Sequence, residues 1–166
     1  MPRLATLLSL CAVFLLGACS SPSYTYRFVP GKTAVLQQGI ACPPADAPPT
    51  VQTAIAAGNR IAGLPYRRGG GHARQIDTAY DCSGATSFVL RESGLLGDSM
   101  PSKGFRRYGK SGEGDWISVY AKNGHVFLVV AGLRFDTGWT SASEGPQWSM
   151  QPRPANGCVI RHPVGL

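Results

Sequence analysis

The feature that most constrains this chain is a change of hydrophobic period halfway along it. From Thr50 to Ala62 the apolar residues Val51, Ala54, Ile55, Gly58, Ile61 and Ala62 recur at helical spacing, with Thr50 placed to cap and Gly63 and Pro65 placed to stop. A second helix is expected from Cys82, burying Ala85, Phe88 and Val89 and ending at Gly94. After a polar stretch the pattern alternates with period two over 116–120, 125–130, 134–137 and 157–162, the signature of half-buried strands. Helices first and strands afterwards predict an α+β domain, N-terminal helices packed on an antiparallel β-sheet.

The domain does not fill the chain. Arg3 precedes a 15-residue apolar run from Leu4 to Ala18, too short to span a bilayer but suited to the core of a secretory signal. The run closes on Leu16-Gly17-Ala18-Cys19, which resembles a bacterial lipoprotein processing site. That resemblance implies a signal peptide over 1–18, acylation of Cys19 (palmitate among the acyl chains) and, with Ser20 following, anchoring to the outer membrane on its periplasmic side. No later apolar run is longer than Val126 to Leu133, so the membrane is expected to be reached through the N-terminal lipid alone. Residues 19–49, with Pro22, Pro30 and the stretch Cys42-Pro43-Pro44-Ala45-Asp46-Ala47-Pro48-Pro49, read as a lipidated N-terminus and a proline-rich linker. Residues 50–166 form the predicted domain, and a monomer is expected.

Charge and cysteine usage narrow the partners. Sixteen Lys and Arg against nine Asp and Glu give +7; loss of Arg3 with the signal leaves +6. Arg67, Arg68, Arg74, Lys103, Arg106, Arg107, Lys110 and Lys122 read as a basic surface suited to anionic polymers or lipid headgroups. An exported, lipid-anchored chain without a nucleic-acid-binding motif is not expected to bind nucleic acid. Of five cysteines, Cys11 would be discarded and Cys19 acylated. Cys42 and Cys158, near the two ends of the mature chain, could pair as a disulfide in an oxidising compartment, leaving Cys82 over.

Cys82 stands in Tyr80-Asp81-Cys82-Ser83-Gly84, at a predicted helix start. Backbone N–H groups and the positive dipole end favour the thiolate there, and Ser83 and Gly84 are small enough to admit a substrate carbonyl. His125 heads the apolar strand Gly124-His125-Val126-Phe127-Leu128-Val129-Val130. A two-residue turn at Ala131-Gly132 or Gly132-Leu133 makes paired residues sum to 263 or 265, bringing Asp136 to the strand face of His125. A three-residue loop would put it on the opposite face. An aspartate so placed fixes the imidazole tautomer and stabilises imidazolium. His72 is read either as a further site residue or as a loop cap. A mixed zinc set of His72, Cys82, His125 and Asp136 is the less favoured reading, as no Cys-x-x-Cys or His-x-x-x-His pair appears; no metal or cofactor is expected. Trp116, Trp139 and Trp148 are read as core or cleft walls before ligand platforms.

Asp81-Cys82-Ser83-Gly84 and Gly124-His125-Val126 resemble the NlpC-type cell-wall peptidases, a papain-like superfamily of cysteine hydrolases, over about residues 51–166. The resemblance implies a papain-like NlpC-type fold, Cys82 as nucleophile, His125 as general base and Asp136 in the third, polar position. Tyr66, in Leu64-Pro65-Tyr66, would line the site and, with Ser83, serve the oxyanion and substrate. It implies peptidoglycan stem peptides as substrate, cleaved between D-glutamate and the diamino acid. Asp136 departs from the His, Asn or Gln more usual in the family. A longer Tyr66-to-Cys82 stretch with Gly69-Gly70-Gly71-His72, and Arg134-Phe135-Asp136-Thr137, resembles one branch of it. The competing readings are a wall-binding scaffold lipoprotein without turnover, and a Cys-His hydrolase or acyltransferase acting on another amide or ester.

Overall fold

The computed structural model describes residues 22–138 and 144–166; the signal segment, Cys11, Cys19 and Trp139 lie outside them. The domain is α+β. Two helices, α1 (Pro49–Ile61) and α2 (Cys82–Glu92), precede all strands of a six-stranded antiparallel sheet. Its strands are β4 (Lys110–Ser111), β5 (Ile117–Lys122), β6 (His125–Val130), β7 (Leu133–Asp136), β8 (Gln147–Ser149) and β10 (Val159–His162), in the order β4-β10-β5-β6-β7-β8. A one-turn helix α3 (Ser102–Phe105) lies between α2 and β4.

Alternation along β6 divides the side chains between two faces. Val126, Leu128 and Val130 join Val51, Ile55, Ile61, Phe88, Leu90 and Phe135 in the core beneath the helices. Phe127, on the other face, packs with Tyr24, Tyr120 and Ala155. Trp148 of β8 is core: it lies so close to α1 that a Cβ on Gly58 would stand 2.4 Å from its ring.

Helix α1 starts earlier than its periodicity suggests. Pro48 is the cap residue and Pro49 opens the helix, where a proline's missing N–H costs nothing; Thr50 is not the cap. Helix α2 begins at Cys82 as expected, because the Asp81 carboxylate accepts the Gly84 N–H at 2.7 Å.

The proline-rich segment is not a spacer. Residues 22–49 fold onto the domain as β1 (Ser23–Tyr24), β2 (Val35–Gln37) and β3 (Ile40–Cys42), with β1 paired to β9 (Arg153–Pro154) and β2 to β3. Tyr24, Ala34, Ala41 and Ala47 are buried. The Tyr24 hydroxyl donates to the Gly132 carbonyl at 3.0 Å and accepts the Arg134 N–H at 3.2 Å, while the Ala34 N–H donates to Ala131 O at 2.8 Å. Pro30 opens the turn that leads from β1 to β2, and Pro43 and Pro44 follow β3, where composition alone suggests an extended rod.

The expected Cys42–Cys158 disulfide is not formed; Cys42, Cys82 and Cys158 are all free thiols. Chain ends that share a domain need not share a face. Cys42 ends β3, which packs on α1, whereas Cys158 joins the cluster on the opposite face of the sheet.

Candidate active site

The turn between β6 and β7 decides the site. Ala131 and Gly132 both adopt positive φ, 45° and 73°, as a tight two-residue hairpin requires, so Leu128 pairs with Phe135 and Val130 with Leu133. In that register Asp136 stands one diagonal step from His125, and its Oδ1 lies 2.8 Å from the His125 Nε2. A carboxylate only accepts, so Nε2 carries the proton and the other ring nitrogen is left for Cys82, whose thiol is near enough to favour the imidazolium. Cys82, His125 and Tyr66 line one cleft of about 200 Å³ with Gly124, Thr137, Gly138 and Arg153.

Asp136 is buried and heavily engaged. Its Oδ1 accepts the Thr137 N–H at 2.8 Å as well as His125, and its Oδ2 takes Arg134 Nη1 at 2.9 Å and Arg153 Nε at 3.2 Å. Arg134 is fully buried on β7, two residues from Asp136 and on the same face. Arg153 also brings Nη2 to 3.1 Å from His125 Nε2. Arginine cannot accept, so the shorter carboxylate contact defines the hydrogen bond, and Arg153 is there a neighbouring positive charge. Burial pulls the His125 imidazole down, but the hydrogen bond to Asp136 and the nearness of Asp136 and Cys82 outweigh it and lift its pKa to about 9. The ring is therefore an imidazolium at neutral pH.

A second network holds the nucleophile's helix. Asp81 accepts the Gly84 and Gly69 N–H groups at 2.7 and 2.8 Å and the Ser83 hydroxyl at 2.9 Å, and His72 Nε2 lies 3.2 Å from its Oδ1. Burial opposes ionisation of Asp81, but these donors hold its pKa below the usual carboxylate range. His72 is thus a loop cap, bonded to Asp81 and, at 3.3 Å, to Ser83 Oγ. The Ser83 side chain, read as an oxyanion or substrate group, is buried and turned into this network, leaving its backbone alone at the helix start. Gly84 has a different duty from admitting substrate. A Cβ there would stand 1.9 Å from the Gly70 carbonyl oxygen, so the glycine lets the Gly69–Gly71 loop lie directly on α2.

Tyr66 is placed at the cleft by a parallel bridge to Tyr80. Burial first, and then the neighbouring Cys82 and Asp81, raise its pKa, so the phenol keeps its proton and can donate it.

Sequence reasoning missed Asp81 as a positioning group, and both arginines. Arg134 and Asp136 at i and i+2 on one strand were a readable pair. Arg153 carries no such signal, since only tertiary folding brings β9 to His125. Among the described residues, no group of three or more His, Cys, Asp or Glu is arranged to hold a metal ion, and none of their helices is long and apolar enough to cross a membrane. No protein-family model matches the chain, and no curated protein matches it.

Proposed function

We propose that the chain is a peptidoglycan hydrolase with a papain-like NlpC-type fold, a cysteine endopeptidase that cleaves an amide of the stem peptide, between D-glutamate and the diamino acid. The observation that carries this reading is the Cys82–His125–Asp136 arrangement at a helix start, in a cleft open to solvent. A thiol beside an imidazole, which is itself held by a buried carboxylate, suits acyl transfer.

The steps follow from the groups present. Cys82 Sγ, as thiolate, attacks the amide carbonyl carbon, and the new oxyanion is met by backbone N–H groups at the start of α2 and by the Tyr66 hydroxyl. Collapse breaks the C–N bond, the His125 imidazolium gives its proton to the departing amine, and a thioester remains on Cys82. The now neutral His125 takes a proton from water, whose oxygen attacks the thioester. Hydrolysis releases the acid and restores the thiolate–imidazolium pair. Asp136 holds the ring in place throughout.

Cys19 is the proposed lipid anchor, in the outer membrane and facing the periplasm. Because β1 begins at Ser23, the tether to the folded domain is four residues, at most about 14 Å when extended. The domain then works close to the membrane surface.

Mass spectrometry of soluble products from purified sacculi tests the reading. New fragments that end in D-glutamate and begin with a diamino acid are expected. A digest with no new acid or amine ends, from enzyme that still binds sacculi, would favour a wall-binding scaffold. Turnover of another amide or ester with none of sacculi would move the chemistry to a different substrate.

A further inference from the structure

The hairpin that brings Asp136 to His125 is gripped by a side chain from the N-terminal segment. Tyr24, on β1, is buried against Tyr120 and Phe127, on the sheet face that carries His125. Its hydroxyl donates to the carbonyl of Gly132, in the two-residue turn, at 3.0 Å. It also accepts the N–H of Arg134, in β7, at 3.2 Å. The hydroxyl thus ties the turn that sets the β6–β7 register to the strand on which Asp136 stands two residues further on. Burial pushes the phenol up to about 12, so at neutral pH it keeps the proton that it donates.

The same residue meets both arginines of the Asp136 network. Tyr24 is directly opposite Arg153 in the β1–β9 pair, and residues so placed present their side chains on one face. Arg153 reaches Asp136 Oδ2 through Nε at 3.2 Å. The buried Arg134 guanidinium lies over the Tyr24 ring, 5.9 Å from its centroid, and holds the same Oδ2 at 2.9 Å. One side chain therefore fixes the backbone that carries Asp136 and touches both cations on its Oδ2, while Oδ1 stays on His125 Nε2 at 2.8 Å. Hydrogen bonds weaken steeply with angle and distance, so a small slip of β7 would be felt at the imidazole. Tyr24 is not among the residues that line the cleft and acts at one remove from a substrate.

We infer that Tyr24 is a positioning residue for the His125–Asp136 pair: through Gly132, Arg134 and Arg153 it keeps the Asp136 carboxylate in hydrogen-bonding reach of the imidazole. The inference goes beyond the proposed hydrolase reading and rests on it only for the reaction in which the pair serves. The groups that face the imidazole are Cys82 from α2, Asp136 from β7, Arg153 from β9 and Lys122, paired opposite on β5. Of these, Tyr24 governs Asp136 and Arg153.

Tyr24→Phe tests this, since it keeps the ring, the β1–β9 pairing and the arginine contact and removes both hydroxyl bonds. Tyr120→Phe is the control; it removes another buried hydroxyl of the same cluster, one bonded to Glu113 and not to the hairpin. For each protein, calorimetry gives Tm, NMR gives the pH at which His125 titrates, and cleavage of a soluble stem peptide gives kcat and KM. Tyr24→Phe alone should bring the His125 titration down from about 9 by about half a pH unit and lower kcat about fivefold at unchanged KM, the scale of one neutral hydrogen bond. A merely structural role would lower Tm in both variants and leave His125 unmoved, which would overturn the inference. So would a higher His125 titration or an unchanged kcat in Tyr24→Phe, or equal shifts in Tyr120→Phe. If the wild type cleaves no stem peptide, the hydrolase reading fails, and the titration alone decides the positioning role.

Discussion

Replacing Asp136 with Asn removes the one charge that His125, Arg134 and Arg153 share, at nearly unchanged volume. In the native protein the imidazole is raised from 6.5 to about 9, which equates to about 3 kcal/mol of preference for imidazolium. The folded pKa lies above the unfolded one. That stabilisation is therefore complete below about pH 6.5 and is lost as pH rises through about 9. Without the carboxylate, burial and the two guanidinium groups oppose the imidazolium and Cys82 alone still favours it, so the His125 pKa should fall back toward 6.5. Removing one member of a buried ion network also costs about 3–5 kcal/mol of stability, on the order of 10 °C in Tm for a domain of this size. NMR titration of the imidazole carbons, with His125 assigned by its absence in a His125→Ala protein, gives the pKa, and calorimetry gives the stability. The alkaline limb of kcat/KM should move with the titration, from about pH 9 in the wild type toward neutrality in the variant, since the leaving amine needs the imidazolium proton. A His125 that still titrates near 9 in the Asp136→Asn protein would refute the assignment of Asp136 as the group that charges it.

Three further outcomes are expected. Gly84→Ala should cost about 3 kcal/mol in chemical denaturation, because its Cβ would meet the Gly70 carbonyl at 1.9 Å, backbone against backbone with no flexible side chain to give way. Tyr66→Phe should lower kcat on the order of 100-fold with little change in KM, as loss of an oxyanion donor does, and the pH profile should stay in place. Denatured without reductant, the protein from residue 22 onward should titrate three thiols with a chromogenic disulfide reagent; one thiol would mean that Cys42 and Cys158 do pair.

Much of the site was legible because it rests on local rules. The helix from Cys82 follows from the spacing of Ala85, Phe88 and Val89 and the stop at Gly94, and the meeting of His125 with Asp136 follows from one two-residue turn and the alternation of side chains along a strand. Ser83 and Gly84 show the limit of such rules. Both are small residues beside a nucleophile, yet one is turned into the Asp81–His72 network and the other makes room for a neighbouring loop. The proline-rich N-terminal segment misled for a related reason. Pro22, Pro30 and Pro43 do break regular structure, but Tyr24 and Ala34 between them are buried by partners far along the chain, and composition does not record those partners. Arg153 was hidden in the same way, on a two-residue strand that pairs with β1 from the far end of the chain.

The account turns on Cys82 as the atom that bonds to substrate. A stem peptide mixed with excess enzyme, quenched in acid within one turnover and analysed by intact-protein and peptide mass spectrometry, tests this directly. The expected result is a transient acyl adduct on the peptide carrying Cys82, with release of the free diamino-acid amine, and neither adduct nor amine from Cys82→Ala. Amine released by Cys82→Ala at the wild-type rate would contradict it.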